Sequence, residues 1–110
     1  METLAQERAK FLEVAARNGV SKADATRIMR HADTIQRLAV AECNRELTAT
    51  ELRQQARYTR LVGEALAPHK IKVCVGGDPR GYCVKIHWPS GDYNTWGGAE
   101  EGYGVPTRSY

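Results

Sequence analysis

The sequence predicts an α+β fold: two or three N-terminal helices packed on one face of a small three-stranded antiparallel sheet. Three observations carry that expectation. Residues 70–75 and 82–88 alternate, with Ile71, Val73 and Val75, then Tyr82, Val84, Ile86 and Trp88, on every second position. That is the period of a half-buried strand. Residues 2–67 carry their apolar side chains at helical spacing instead, and Thr48-Ala49-Thr50-Glu51 is a capping box that marks a fresh helix start inside them. A small meander with one apolar face is not stable by itself, so the helices are its cover.

The first helix is predicted over residues 2–17, with Leu4, Phe11, Leu12 and Ala15 on one face. Asn18-Gly19 stops it, because both residues tolerate the left-handed backbone that ends helices. Ser21 caps a second helix, with Asp24 three residues on. Ile28, Ala32, Ile35, Leu38 and Ala39 form its stripe, and the absence of Gly and Pro before Gly63 predicts a run to about 43–46. The third helix follows Thr48, with Leu52, Ala56, Val62, Ala65 and Leu66 on its inner face, and Pro68 ends it. A short connection makes the second and third helices antiparallel neighbours. The breaker cluster Gly76-Gly77-Asp78-Pro79-Arg80-Gly81 turns the first strand into the second. Pro89-Ser90-Gly91-Asp92 turns the second into a short third strand, Tyr93 to Trp96. The expected organisation is one domain over 1–110: a helical part at 1–67, a β-meander at 70–97 and a Gly-rich tail at 98–110.

Length and composition bound the function. A chain of 110 residues buries a core without disulfide or metal staples. Its 16 basic and 13 acidic residues leave a net charge of +3, which permits nucleic-acid contact without demanding it. Three cysteines without a CxxC pair, a charged N-terminus and no long apolar run predict a cytoplasmic, reducing setting with free thiols and no membrane span.

Chemistry-bearing motifs are sparse. Cys74, Cys83, His69 and His87 do not make a zinc site, because Cys83 and His87 would stand about 13 Å apart along one strand. No cysteine sits in a nucleophile turn, and the glycine cluster at 76–81 lacks the Lys-Ser/Thr ending of a phosphate loop. The expectation is a protein that is not an enzyme and takes no cofactor or metal. Binding residues are better represented. Arg53, Arg57 and Arg60 recur at i, i+4 and i+7 on the third helix, hence on one face. Arg80, Trp96 and Tyr103 belong to a C-terminal group of arginine and aromatic residues, the types that dominate interface energetics. These six residues are the predicted partner contacts.

Two resemblances add to that reading. The segment VAARNGVSKADATRIMRHA resembles the A-x-x-x-G-V-S core of the bacterial helix-turn-helix family, with Ala15, Gly19, Val20, Ser21 and Ile28 at matching positions. It departs from that pattern at Asn18, where the family usually has an apolar residue, and at Ala25, where it usually has Val or Ile. The resemblance implies Lys22, Thr26, Arg27 and Arg30 as DNA contacts. The RLA-x-x-x-CN segment at Arg37 to Asn44, together with the GDPRGY-x-VK-x-x-x-PSG-x-YNTWGG module, is similar to small bacteriophage and prophage proteins of unknown function. It implies a small cytoplasmic protein made in an infected bacterium, and it transfers no catalytic or ligand residue. By analogy with such proteins, the expected function is a counter-defence, anti-CRISPR-like inhibitor. Its partner would be a host defence complex, a CRISPR effector, whose nucleic-acid or subunit-binding surface it occludes. The alternative is a small helix-turn-helix regulator of DNA.

Overall fold

The computed structural model describes residues 3–69, 71–75, 84–96 and 107–109. The fold class is α+β: α1 (Leu4–Arg17), α2 (Lys22–Glu42) and α3 (Ala49–Leu66), then a 3-10 turn (Ala67–His69) and an antiparallel sheet. The sheet holds β1 (Lys72–Val75), β2 (Val84–His87), β3 (Asp92–Trp96) and β4 (Thr107–Ser109), in the order β1-β2-β3-β4. It therefore has a fourth strand beyond the expected three. Thr107–Ser109 lies within what reads as tail, and it completes the sheet by pairing Asn94 with Thr107 and Asp92 with Ser109. A three-residue strand between glycine-rich and terminal residues is too short to carry an alternation signal.

Each helix begins on a side-chain cap. Thr3 opens α1 with a full capping box: its hydroxyl accepts from the Gln6 amide at 3.2 Å, and Gln6 Oε1 accepts from the Thr3 amide at 2.8 Å. Ser21 accepts from the Asp24 amide, and Thr48 and Glu51 form the box predicted for α3. α1 ends in a Schellman motif. Val20 N–H donates to the Ala15 carbonyl at 2.9 Å and Gly19 N–H to the Ala16 carbonyl at 3.1 Å. Gly19 sits at φ +84°, where a Cβ would be strained, while Asn18 stays at φ −100°. The β2–β3 hairpin closes with Gly91 at φ +94°, its N–H donating to the Trp88 carbonyl at 3.0 Å. This is a turn followed by a left-handed residue, a frequent three-residue hairpin loop.

The core lies between the helices and the inner sheet face. Phe11, Val14 and Ala15 of α1, Ile28, Ala32 and Ile35 of α2, and Val62 and Leu66 of α3 meet Val84, Ile86, Trp88 and Trp96. Phe11 stands between the two indoles, edge-on to both, at 5.8 Å from Trp88 and 5.5 Å from Trp96. Both indole N–H groups are satisfied. Trp88 donates to Asn94 Oδ1 at 2.6 Å, and Trp96 donates to Asp33 Oδ1 at 3.0 Å. The second oxygen of Asp33 accepts from Arg8 Nη2 at 2.6 Å, so one carboxylate joins α1, α2 and β3.

The inner face of α3 differs from the expected one. Val62 and Leu66 are buried, but Leu52 is 50% exposed and Ala56 is exposed. Stepping back from Val62 at about 100° per residue leads to Tyr58, Gln55 and Glu51, all half-buried, and leaves Leu52 roughly 80° off the stripe. The start of α3 is held by polar contacts instead. Arg45 grips Glu51 in a two-pronged pair, Nη1–Oε1 at 2.8 Å and Nη2–Oε2 at 2.7 Å, while Glu51 Oε1 also accepts from the Thr48 amide at 2.9 Å.

Replacing Phe11 by Ala removes the ring that both indoles pack on. It should lower stability by about 3–5 kcal/mol, read as a fall in the urea midpoint. Glu51 is held at about 2, from an ordinary 4.5, first by its hydrogen bonds to Arg45 and then by the Thr48 amide. A depressed carboxylate contributes stability that is present above 4.5 and lost as pH falls toward 2. Glu51→Gln should therefore flatten the acid limb of the urea midpoint against pH and leave its slope near neutrality unchanged.

Candidate binding surface

The expected contacts separate into three groups. Arg53, Arg57 and Arg60 are exposed on α3. At about 100° per residue they fall within roughly 60° of one another, on the side opposite Val62. Arg53 Nη2 donates to Thr50 Oγ1 at 3.2 Å. Arg60 Nε lies 3.6 Å from Glu64 Oε1, with both side chains about two-thirds exposed, so that pair holds little energy. Arg80 and Tyr103 lie outside the described residues.

Trp96 is a correction. It is 0% exposed, packed on Phe11 and bonded to Asp33, and it serves as core rather than as partner contact. Its polar, glycine-rich neighbours suggest a surface position. Strand alternation nevertheless places it with Val84, its register partner on β2, on the face under the helices. Tyr93, on the other sheet face, is half-buried and carries the Lys85 ammonium 4.8 Å from its ring centroid. Cys74 pairs in register with Lys85, and Cys83 lies outside the described residues.

The helix-turn-helix candidates share the solvent side of α2. Lys22, Arg27 and Arg30 are exposed. The Thr26 hydroxyl donates to the Lys22 carbonyl at 2.7 Å, and the Arg27 guanidinium pairs with Asp24 one turn earlier. α2 is also the central core helix, buried along its length from Ala25 to Leu38. That burial distinguishes it from a recognition helix offered to a groove mainly by its first turns.

His31 and Tyr58 are site residues that sequence reasoning misses. The imidazole of His31 on α2 stacks on the Tyr58 ring of α3, with centroids 4.9 Å apart and planes 24° from parallel. The stack joins the two basic sets. Arg27 is one turn before His31, and Arg57 directly precedes Tyr58. Burial lowers the His31 pKa from its ordinary 6.5, and the Arg27 and Arg57 charges lower it further. Antiparallel packing of α2 and α3 is the sequence signal for such a meeting, but the helix–helix register decides which residues meet.

Among the described residues, no group of three or more His, Cys, Asp or Glu could hold a metal ion. None of the described helices is long and apolar enough to cross a membrane. No protein-family model, curated protein or solved structure matches this chain.

The proximity of like charges to His31 is directly measurable. Arg57→Gln and Arg27→Gln should each raise the His31 pKa toward 6.5 in a proton NMR titration, and Arg60→Gln should change it less. The lowered pKa contributes stability that is present above 6.5 and lost as pH falls below it, so both variants should weaken that pH dependence.

Proposed function

We propose that this protein is a non-enzymatic binder whose contact surface is the arginine face of α3. One observation supports this reading most: Arg53, Arg57 and Arg60 are all exposed on one side of a helix whose other side is anchored by Val62 and Leu66. A pre-ordered helix presenting parallel guanidinium groups loses little conformational freedom on binding, and it suits an anionic or planar polar partner. With the bacteriophage resemblance, the surface belongs to an anti-CRISPR-like counter-defence protein of the infected bacterial cytoplasm. It occludes a nucleic-acid or subunit-binding surface of a host defence complex.

The competing reading is a DNA regulator using Lys22, Thr26, Arg27 and Arg30. The short Gly19 corner followed at once by the Ser21 cap favours it, because the helix-turn-helix motif also joins its two helices by a short turn that often contains Gly. The prior engagement of the Thr26 hydroxyl and the burial of α2 along its length count against it.

The two are separated by a tagged pull-down from a CRISPR-carrying bacterial lysate, with and without nuclease, read by mass spectrometry. Wild type should retain a defence-complex subunit after nuclease, and the combined Arg53→Glu, Arg57→Glu, Arg60→Glu variant should lose it. Recovery of DNA alone, abolished by nuclease and kept by the triple variant, would favour the regulator. Undiminished capture by the triple variant would refute the α3 surface.

A further inference from the structure

The seam between α2 and α3 gathers positive charge from two helices around one imidazole. Arg27 and His31 are four apart on α2, so their Cβ atoms stand about 5–6 Å from each other on one face. From the other side, Tyr58 fixes the imidazole plane by stacking, and Arg57 is its neighbour in the chain. Among the described residues, the charged and titratable groups next to His31 are Arg27 and Arg30 on α2 and Arg57 and Tyr58 on α3, with Asp24 two turns before it. Asp24 is the carboxylate of this set, and it is bound to Arg27. Asp33 is turned to the opposite flank of α2, where Arg8 and Trp96 occupy its two oxygens. The seam is thus left with an excess of guanidinium charge, and the Arg27 side chain remains 65% exposed. Arg53 and Arg60 prolong the array along α3. Seven residues of helix span about 10 Å, the rise of about three phosphate-to-phosphate steps in one strand of a duplex.

We propose that the stretch of the α2–α3 seam carrying Arg27, His31 and Arg57 holds a phosphate group of a nucleic-acid strand, which runs on along Arg53 and Arg60. This deepens the reading of the α3 face as a contact surface. It adds residues from a second helix and commits to one ligand chemistry. The guanidinium groups donate charge-assisted hydrogen bonds to the phosphate oxygens. The imidazole donates as well once protonated, so phosphate binding and His31 protonation favour each other. Tyr58 positions the imidazole and need not touch the ligand. A nucleic-acid strand fits the array better than a lone anion, because the arginines are laid out in a line and a phosphodiester chain presents charges in a line.

The test uses the full chain and follows His31 by NMR while pH is varied. It is run free, with a short single-stranded DNA oligonucleotide of mixed sequence, and with inorganic phosphate at the same phosphate concentration. The oligonucleotide should raise the His31 pKa and inorganic phosphate should do so far less. Oligonucleotide affinity, read by fluorescence anisotropy, should tighten as pH falls through the His31 titration. Arg57→Gln, an exposed substitution, should abolish the rise and reduce the slope of log affinity against log salt by about 1. His31→Phe keeps a ring on Tyr58 and removes the proton, and it should make affinity independent of pH in that range. A His31 titration unmoved by oligonucleotide would overturn the proposal, as would an equal response to inorganic phosphate. The host-partner reading is judged separately. Capture of a defence subunit with His31 unmoved would remove this site and leave that reading. A responsive His31 with no subunit captured would do the reverse.

Discussion

The architecture depends on the wedge that Phe11 makes between Trp88 and Trp96. The three rings bring the first helix against two strands that follow it late in the chain. Edge-on packing of this kind adds about 0.5–1.5 kcal/mol per pair beyond the area it buries. Asp33 makes the arrangement specific. Its carboxylate can accept from Trp96 and Arg8 together only if α1, α2 and β3 hold their relative positions. Hydrophobic burial brings these elements together without regard to direction, whereas the satisfied indole N–H groups select one orientation. A smaller contact repeats the pattern at the far end of α1. There the Asn18 carboxamide accepts from the Ser90 amide and donates to the Ser90 hydroxyl, tying the helix terminus to the β2–β3 turn.

α3 is attached differently, and this difference leaves a surface to spare. Its C-terminal end enters the core through Val62 and Leu66, its middle meets α2 in the His31–Tyr58 stack, and its first turn is clamped to the α2–α3 connection by Arg45–Glu51. None of these attachments uses the face that carries Arg53, Arg57 and Arg60. The helix is therefore fixed in place by one side and chemically distinct on the other, which is the arrangement a binding module needs.

Local signals were legible, and signals that depend on three-dimensional register were not. The Ser21 cap, the Thr48–Glu51 box, the Gly19 stop and the alternation at Val84, Ile86 and Trp88 are short-range features, and each appears where the residues indicate. The Thr3–Gln6 box was equally readable and shows that the same pattern passes unnoticed when Gln stands in for Glu. Leu52 misleads because hydrophobicity alone does not give the phase of a helix; Val62 and Leu66 set it, and the clamp at Glu51 makes a buried Leu52 unnecessary. Trp96 misleads because its neighbours in sequence are polar while its neighbours in space are Phe11 and Asp33. The His31–Tyr58 stack joins residues with no mutual signal in the chain, and it emerges only once the two helices are laid side by side.

The Asn18–Ser90 link spans 72 positions, and the Asp33–Trp96 bond spans 63. Contacts of that separation close large loops, with an entropic cost that grows slowly with length but must be met before the contact forms. α2 and α3, joined by a short corner with its own clamp, can associate while the rest of the chain is still unstructured. α1 meets α2 through the Arg8–Asp33 pair, but its Phe11 is fully packed only when both indoles, 77 and 85 positions further along, are in place. Phe11 therefore completes its packing only once the β2–β3 hairpin has formed, although the helix that carries it comes first in the chain. A chain in which that hairpin has not yet formed exposes the ring, so the partly folded species is more prone to association than the finished fold.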